Sequence, residues 1–145
     1  MQKYGFILIL LAVLVIGCKG EEKSYASPTL SEEWTIKMTQ SGGIMGLRRS
    51  IQVASDGSYL IVDERAQTSV TGTLTEQQLS ELTDLITDLK FISPDNRAVC
   101  ADCFVYDLEI ESGGKKMILQ VDDINLPDSG IEALVTFLRG ILESA

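Results

Sequence analysis

The stretch FVYDLEIESGGKKMILQVDD, residues 104–123, decides the fold. Phe104, Tyr106, Leu108 and Ile110 alternate with Val105, Asp107, Glu109 and Glu111, the period-two pattern of a strand with one buried face. Gly113-Gly114 supplies a tight turn, and Met117, Leu119 and Val121 alternate on the return strand, with Ile118 on the other side. Such a hairpin builds an antiparallel sheet, whereas parallel neighbours need a long crossover between them.

The same alternation recurs toward the N-terminus. EWTIKMTQ (33–40) places Trp34, Ile36 and Met38 on one face, LRRSIQVA (47–54) continues after a glycine-rich turn, and SYLIVDER (58–65) follows the turn signal Ser55-Asp56-Gly57. Gln67 to Thr73 carries no clear period and is open to a further short strand ending at Gly72. The period then changes. In LTEQQLSELTDLITDLKF (74–91), Leu79, Leu82, Ile86 and Leu89 recur at three and four residues with Leu85 beside them, one apolar helix stripe. Thr75 and Gln78 have the spacing of a capping box, and Pro94 ends the helix by biasing Ser93 away from helical geometry. Pro127 and Asp128 open a last helix with the stripe Ile131, Leu134, Val135, Leu138, Ile141 and Leu142. The expectation is one α+β domain over residues 32–145, an antiparallel sheet of four to five strands with two helices packed on one face.

The N-terminal residues read differently. Lys3 is followed by the unbroken apolar run Phe6 to Ile16, shorter than the roughly twenty residues that span a bilayer. The segment LVIGC (14–18) looks like a bacterial lipobox, which implies a signal peptide over 1–17 and a lipid on Cys18. An uncleaved anchor and a plain signal peptide cut nearby are the alternatives. Residues 18–31 read as a lipidated start and a flexible tether, so the domain is expected in the bacterial cell envelope, on the extracytoplasmic side of a membrane.

Removing residues 1–17 takes away one charge, Lys3, and leaves a formal charge of −10 against −9 for the whole chain. An acidic surface repels nucleic acid, so no nucleic-acid partner is expected. The chain has no histidine, which excludes Ser-His and Cys-His nucleophilic catalysis and leaves zinc without its commonest nitrogen ligand. SGGIMG lacks the ending and the strand-to-helix context of a phosphate loop. Asp122-Asp123 are neighbours on a strand and point to opposite faces. Neither an enzyme activity, a cofactor nor a metal is expected. Cys100 and Cys103 in CADC read as a small disulfide loop or as two unlinked structural thiols. The chain is expected to be a monomer.

What remains is binding. The segment TQSGGIMGLRRSI (39–51) sets Gly42, Gly43 and Gly46 around Ile44 and Met45, then adds Leu47, Arg48 and Arg49. A backbone-exposing loop beside an extended strand suits β-augmentation, or occupation of a groove that normally holds an extended peptide. Ile44 and Met45 fit such a groove, and they equally fit folding back to cap the sheet.

In these features the chain resembles the emfourin-like proteins, inhibitors of protealysin and related thermolysin-like zinc metallopeptidases. The match is carried in order by SGGIMGLRR, by GTLTEQQLSELTDLITDLKF with its trailing phenylalanine, by ADCFVYDLEIESGGKKMILQVDD, and by Leu126-Pro127 before the last helix. The resemblance implies a non-catalytic inhibitor that blocks the protease cleft, with Gly42, Gly43, Ile44, Met45, Gly46, Leu47 and Arg48 as the protease-binding residues. Thermolysin-like enzymes favour bulky apolar residues after the cleaved bond, which suits Ile44, Met45 and Leu47. Two departures stand out. Cys100 occupies a position where the family has glycine, which with Cys103 fits an exported version stapled by a disulfide, and the lipid anchor is foreign to the soluble relative. The rival reading is an accessory envelope lipoprotein with no protease target.

Overall fold

The computed structural model describes residues 24–94 and 100–144. The expected signal peptide, Cys18 and the first part of the tether lie outside the described residues. Eight strands and two α-helices follow in order: β1 (Ser24–Tyr25), β2 (Trp34–Gly42), β3 (Leu47–Ala54), β4 (Ser58–Asp63), β5 (Thr68–Thr73), α1 (Glu76–Thr87), β6 (Phe91–Ile92), β7 (Phe104–Ser112), β8 (Lys115–Asp122) and α2 (Glu132–Ser144). Among the described residues, no helix is long and apolar enough to cross a membrane.

The main sheet is antiparallel throughout, in the order β5-β4-β3-β2-β7-β8. It has six strands, not the four to five expected. The added strand is β5, the ambiguous Thr68–Thr73: as an edge strand with both faces in solvent it needs no apolar alternation, so its sequence shows none. The alternating residues of the other strands form one continuous inner face. Ile36 lies between Val53 and Ile110, and Met38 between Ile51 and Leu108. These residues join Leu82, Ile86, Leu134, Val135, Leu138 and Leu142 from the two helices in a single buried cluster. Burial of each such side chain stabilises by roughly 1.5–3 kcal/mol before entropy is subtracted.

α1 starts where its capping box places it: Thr75 Oγ1 accepts from the Gln78 N–H at 3.2 Å, and Gln78 Oε1 accepts from the Thr75 N–H at 2.9 Å. α2 begins later than expected. Leu126–Asp128 forms a short 3-10 turn, and the chain then bends at Gly130, whose φ of 75° and whose closeness to the Lys90 carbonyl leave no room for a Cβ.

Residues 24–31, the later part of the expected tether, make contacts with the domain. β1 pairs with β6, Ser27 Oγ donates to the Leu89 carbonyl at 2.7 Å, the Ser31 N–H donates to Ser112 Oγ at 2.7 Å, and Leu30 packs on the core. The polar side chains that read as a solvated linker bond to backbone and side-chain groups of the domain instead.

Candidate functional site

The hairpin directions bring several turns to one end of the sheet. β2 and β4 run toward that end and β3, β5 and β7 run away from it, so the β2–β3 loop, the β4–β5 turn and the loop entering β7 lie side by side. The β2–β3 loop is Gly43-Ile44-Met45-Gly46, closed by the Gly46 N–H donating to the Gly43 carbonyl at 3.0 Å.

Two glycines where β2 passes into the loop serve packing inside the protein. Gly42 has φ 106°, and a Cβ there would sit 2.4 Å from the Cys103 carbonyl oxygen. Gly43 has φ 70°, and a Cβ there would press on the Phe104 ring at 2.9 Å. With both side chains absent, the Gly43 N–H reaches the Cys103 carbonyl at 3.1 Å. Cys103 is disulfide-bonded to Cys100, so the expected bridge is present and stands directly behind the loop. On the other flank, Arg65 Nη1 donates to the Met45 carbonyl. The backbone on both sides of the tip is therefore held, while the tip side chains are not: Ile44 is 88 % exposed and Met45 66 % exposed. Leu47, expected to be presented with them, is half-buried.

The two arginines divide between the faces of β3. Arg48 Nε pairs with Glu64 Oε1 at 2.9 Å, both groups in solvent. Arg49 lies on the inner face, its Nε 3.3 Å from Asp63 Oδ2 and its Nη2 donating to the Leu142 carbonyl of α2 at 2.9 Å. Asp63 Oδ1 meanwhile accepts the N–H groups of Arg65 and Ala66, which sets the turn that aims Arg65 at the tip.

Beneath the loop end, the inner face carries Arg49, Gln40 and Tyr106 side by side. Tyr106 Oη donates to Asp123 Oδ1 at 2.8 Å, Asp123 Oδ2 accepts from the Phe104 N–H at 2.8 Å, and Arg139 Nη1 lies 3.4 Å from the Tyr106 oxygen. Burial, then the hydrogen bond to Asp123 and its negative charge, push the Tyr106 phenol up to about 12 against a smaller opposing effect of Arg139. This polar row locks the sheet end to α2 through Arg49 and Arg139, whose buried Nε atoms make no hydrogen bond among the described residues.

A cleft of about 530 Å³ between the helices is lined by Glu81, Asp84 and Asp88 with Leu85, Leu89 and Ile131. The three carboxylates are exposed, Glu81 and Asp84 on α1 and Asp88 at its C-terminal cap, and with no histidine in the chain they face no imidazole base; the arrangement is a solvated acidic helix face. Among the described residues, no group of three or more acidic or cysteine side chains converges as a metal site would require.

Arg65, Glu64 and the Cys103 carbonyl escaped the sequence reading. The signal that could have found them is strand direction: alternating hairpins send every second turn to the same end. No protein-family model matches the chain, and no curated protein matches it in sequence.

Proposed function

We propose that this protein is a lipid-anchored inhibitor of a thermolysin-like zinc metallopeptidase, an emfourin-like protein that seats its Ile44-Met45 tip in the enzyme's cleft. The observation that carries the reading is the exposure of these two apolar side chains on a loop whose backbone is braced by Cys103 and Arg65. A tip held in place before binding loses little conformational entropy on docking, and a large apolar side chain fully desolvated in a pocket is the usual energetic centre of an interface. Inhibition is steric: the tip occupies the pocket for a bulky residue after the cleaved bond, and the braced loop presents no peptide in a cleavable geometry. Arg48 contributes at the rim, since Glu64 already neutralises it. Cys18 carries the lipid in this reading. The chain enters the sheet at Trp34, the end of β2 opposite the tip, and nine residues of strand at about 3.3 Å each carry the tip roughly 30 Å beyond that entry.

The test is inhibition of thermolysin by residues 19–145 with the cysteine pair oxidised. Tight stoichiometric inhibition is expected, weakened well over tenfold by Ile44→Ser with Met45→Ser in a folded double variant. No inhibition of several thermolysin-like enzymes would transfer the protein to the accessory-lipoprotein class.

A further inference from the structure

The outer edge of β8 is unpaired and its charges are self-complementary. β8 ends the sheet, and its register with β7 runs from Ser112 opposite Lys115 to Val105 opposite Asp122 without a bulge. The Asp123 N–H donates to the Phe104 carbonyl, so the alternation of the ladder turns the odd-numbered residues of β8 toward β7. The backbone groups of Lys116, Ile118 and Gln120 therefore point outward, and among the described residues no further strand meets them. Edges of this kind are ordinarily blunted by charged side chains, lysine above all, by proline, by a bulge or by an inward-pointing charge, and β8 carries lysine only at its first two positions. β8 has no proline, no bulge and, at the centre of its solvent face, Ile118 at 64 % exposure.

We propose that β8 pairs antiparallel with β8 of a second copy of this chain, giving a twofold dimer with one continuous sheet. Directly opposed residues share a face, so two identical strands can centre only on a residue opposite itself. Centring on Leu119 sets Lys116 opposite Asp122 and Lys115 opposite Asp123 in both halves, with Ile118 facing Gln120 and Met117 facing Val121. Centring on Ile118 instead puts Lys116 opposite Gln120 and Lys115 opposite Val121, and every cross-strand charge pair is lost. The charge pattern thus selects one register. Lys115 makes no ion pair within the chain among the described residues and gains a carboxylate. Lys116 already holds Glu109 at 2.6 Å and Glu111 at 3.1 Å, and it extends that cluster across the new edge to Asp122. The net charge of the two copies opposes association, so the dimer is weak and depends on concentration. Antiparallel pairing sends the two Ile44-Met45 tips to opposite ends of the joined sheet and leaves both accessible; the dimer does not rest on the protease reading.

The experiment is sedimentation velocity on residues 19–145, which hold every described element, over rising concentration, with amide exchange read residue by residue. Expected are a shift toward dimer and slowed exchange at the Lys116, Ile118 and Gln120 amides as concentration rises. Ile118→Pro, tolerated at an edge position whose N–H points outward, should weaken dimerisation at least tenfold while leaving thermolysin inhibition per chain unchanged. A monomer at every concentration, with those three amides always in fast exchange, overturns the proposal. So does a dimer in which they gain no protection. The exchange measurement on the unaltered chain keeps the test decisive should the proline variant fail to fold.

Discussion

Gly42 and Gly46 flank the same loop, both at positive φ, and differ in what surrounds them. Gly42, at φ 106°, occupies a backbone region closed to residues with a Cβ and faces the Cys103 carbonyl, whereas Gly46, at φ 58°, faces open space. Gly42→Ala is expected to destabilise by about 3 kcal/mol and Gly46→Ala by about 1 kcal/mol. Thermal melts of the two variants decide it: equal losses would mean that the contact with Cys103 contributes nothing. Tyr106 gives a second residue-scale prediction. Its folded pKa, about 12, lies above the unfolded value of 10.0, so its contribution to stability is complete below pH 10 and is lost as pH rises toward 12. Tyr106→Phe should flatten the fall in stability across that window, and an unchanged alkaline profile would remove Tyr106 as its source. The alternation that buries Tyr106 was legible in the sequence. Its bond to Asp123 was not, because a partner seventeen positions along the chain depends on where β8 ends.

Among the elements, the segment Cys100–Cys103 that enters β7 and the loop between β2 and β3 behave as a braced pair. The disulfide closes a loop of four residues, which by chain entropy alone is worth about 2 kcal/mol, and its larger effect is to hold the Cys103 carbonyl where the Gly43 N–H needs it. A dithiol reductant, itself oxidised to a disulfide, would return Cys100 and Cys103 to thiols. Exchange of the Gly43 amide should then accelerate several-fold, while amides of the Met38 and Leu108 region stay protected. A Gly43 amide indifferent to reduction would show that Arg65 and Phe104 suffice to hold the tip. How much of this architecture the chain announces follows from what each element buries. β2, β3, β4, β7 and β8 bury one face and show it as period two, and α1 announces both its stripe and its cap. β5 buries neither face, and β1 and β6 are two residues each, too short to carry a period. The glycines of the tip were legible as an unusual loop. Their use against Cys103 and Phe104 was not, because that packing is set by the register of β2 on β7.

At the scale of the whole molecule, residues 24–31 lie along the domain rather than apart from it. They begin paired to β6, cross to Ser112 at the turn end of β7, and only then enter β2. Along the way they cover Phe91 through Tyr25, the ring centroids 5.8 Å apart, and Leu30 joins the core. A chain starting at Glu32 loses these apolar contacts, the β1–β6 ladder and the bonds from Ser27 and Ser31, while it regains the conformational entropy of eight ordered residues. The two nearly offset, as they do for most surface segments, and the surplus in favour of docking is about 1–3 kcal/mol. Urea denaturation of chains starting at Lys19 and at Glu32 should therefore give a lower midpoint for the shorter one, with its slope little changed. The tip lies at the far end of β2, so under the proposed function the truncated chain should match the longer one in thermolysin inhibition wherever it remains folded. Coincident midpoints would return residues 24–31 to the status of a linker and let the domain swing freely about Trp34. A lower midpoint shows that residues 24–31 hold to the domain in solution and fixes the side from which the chain reaches Trp34.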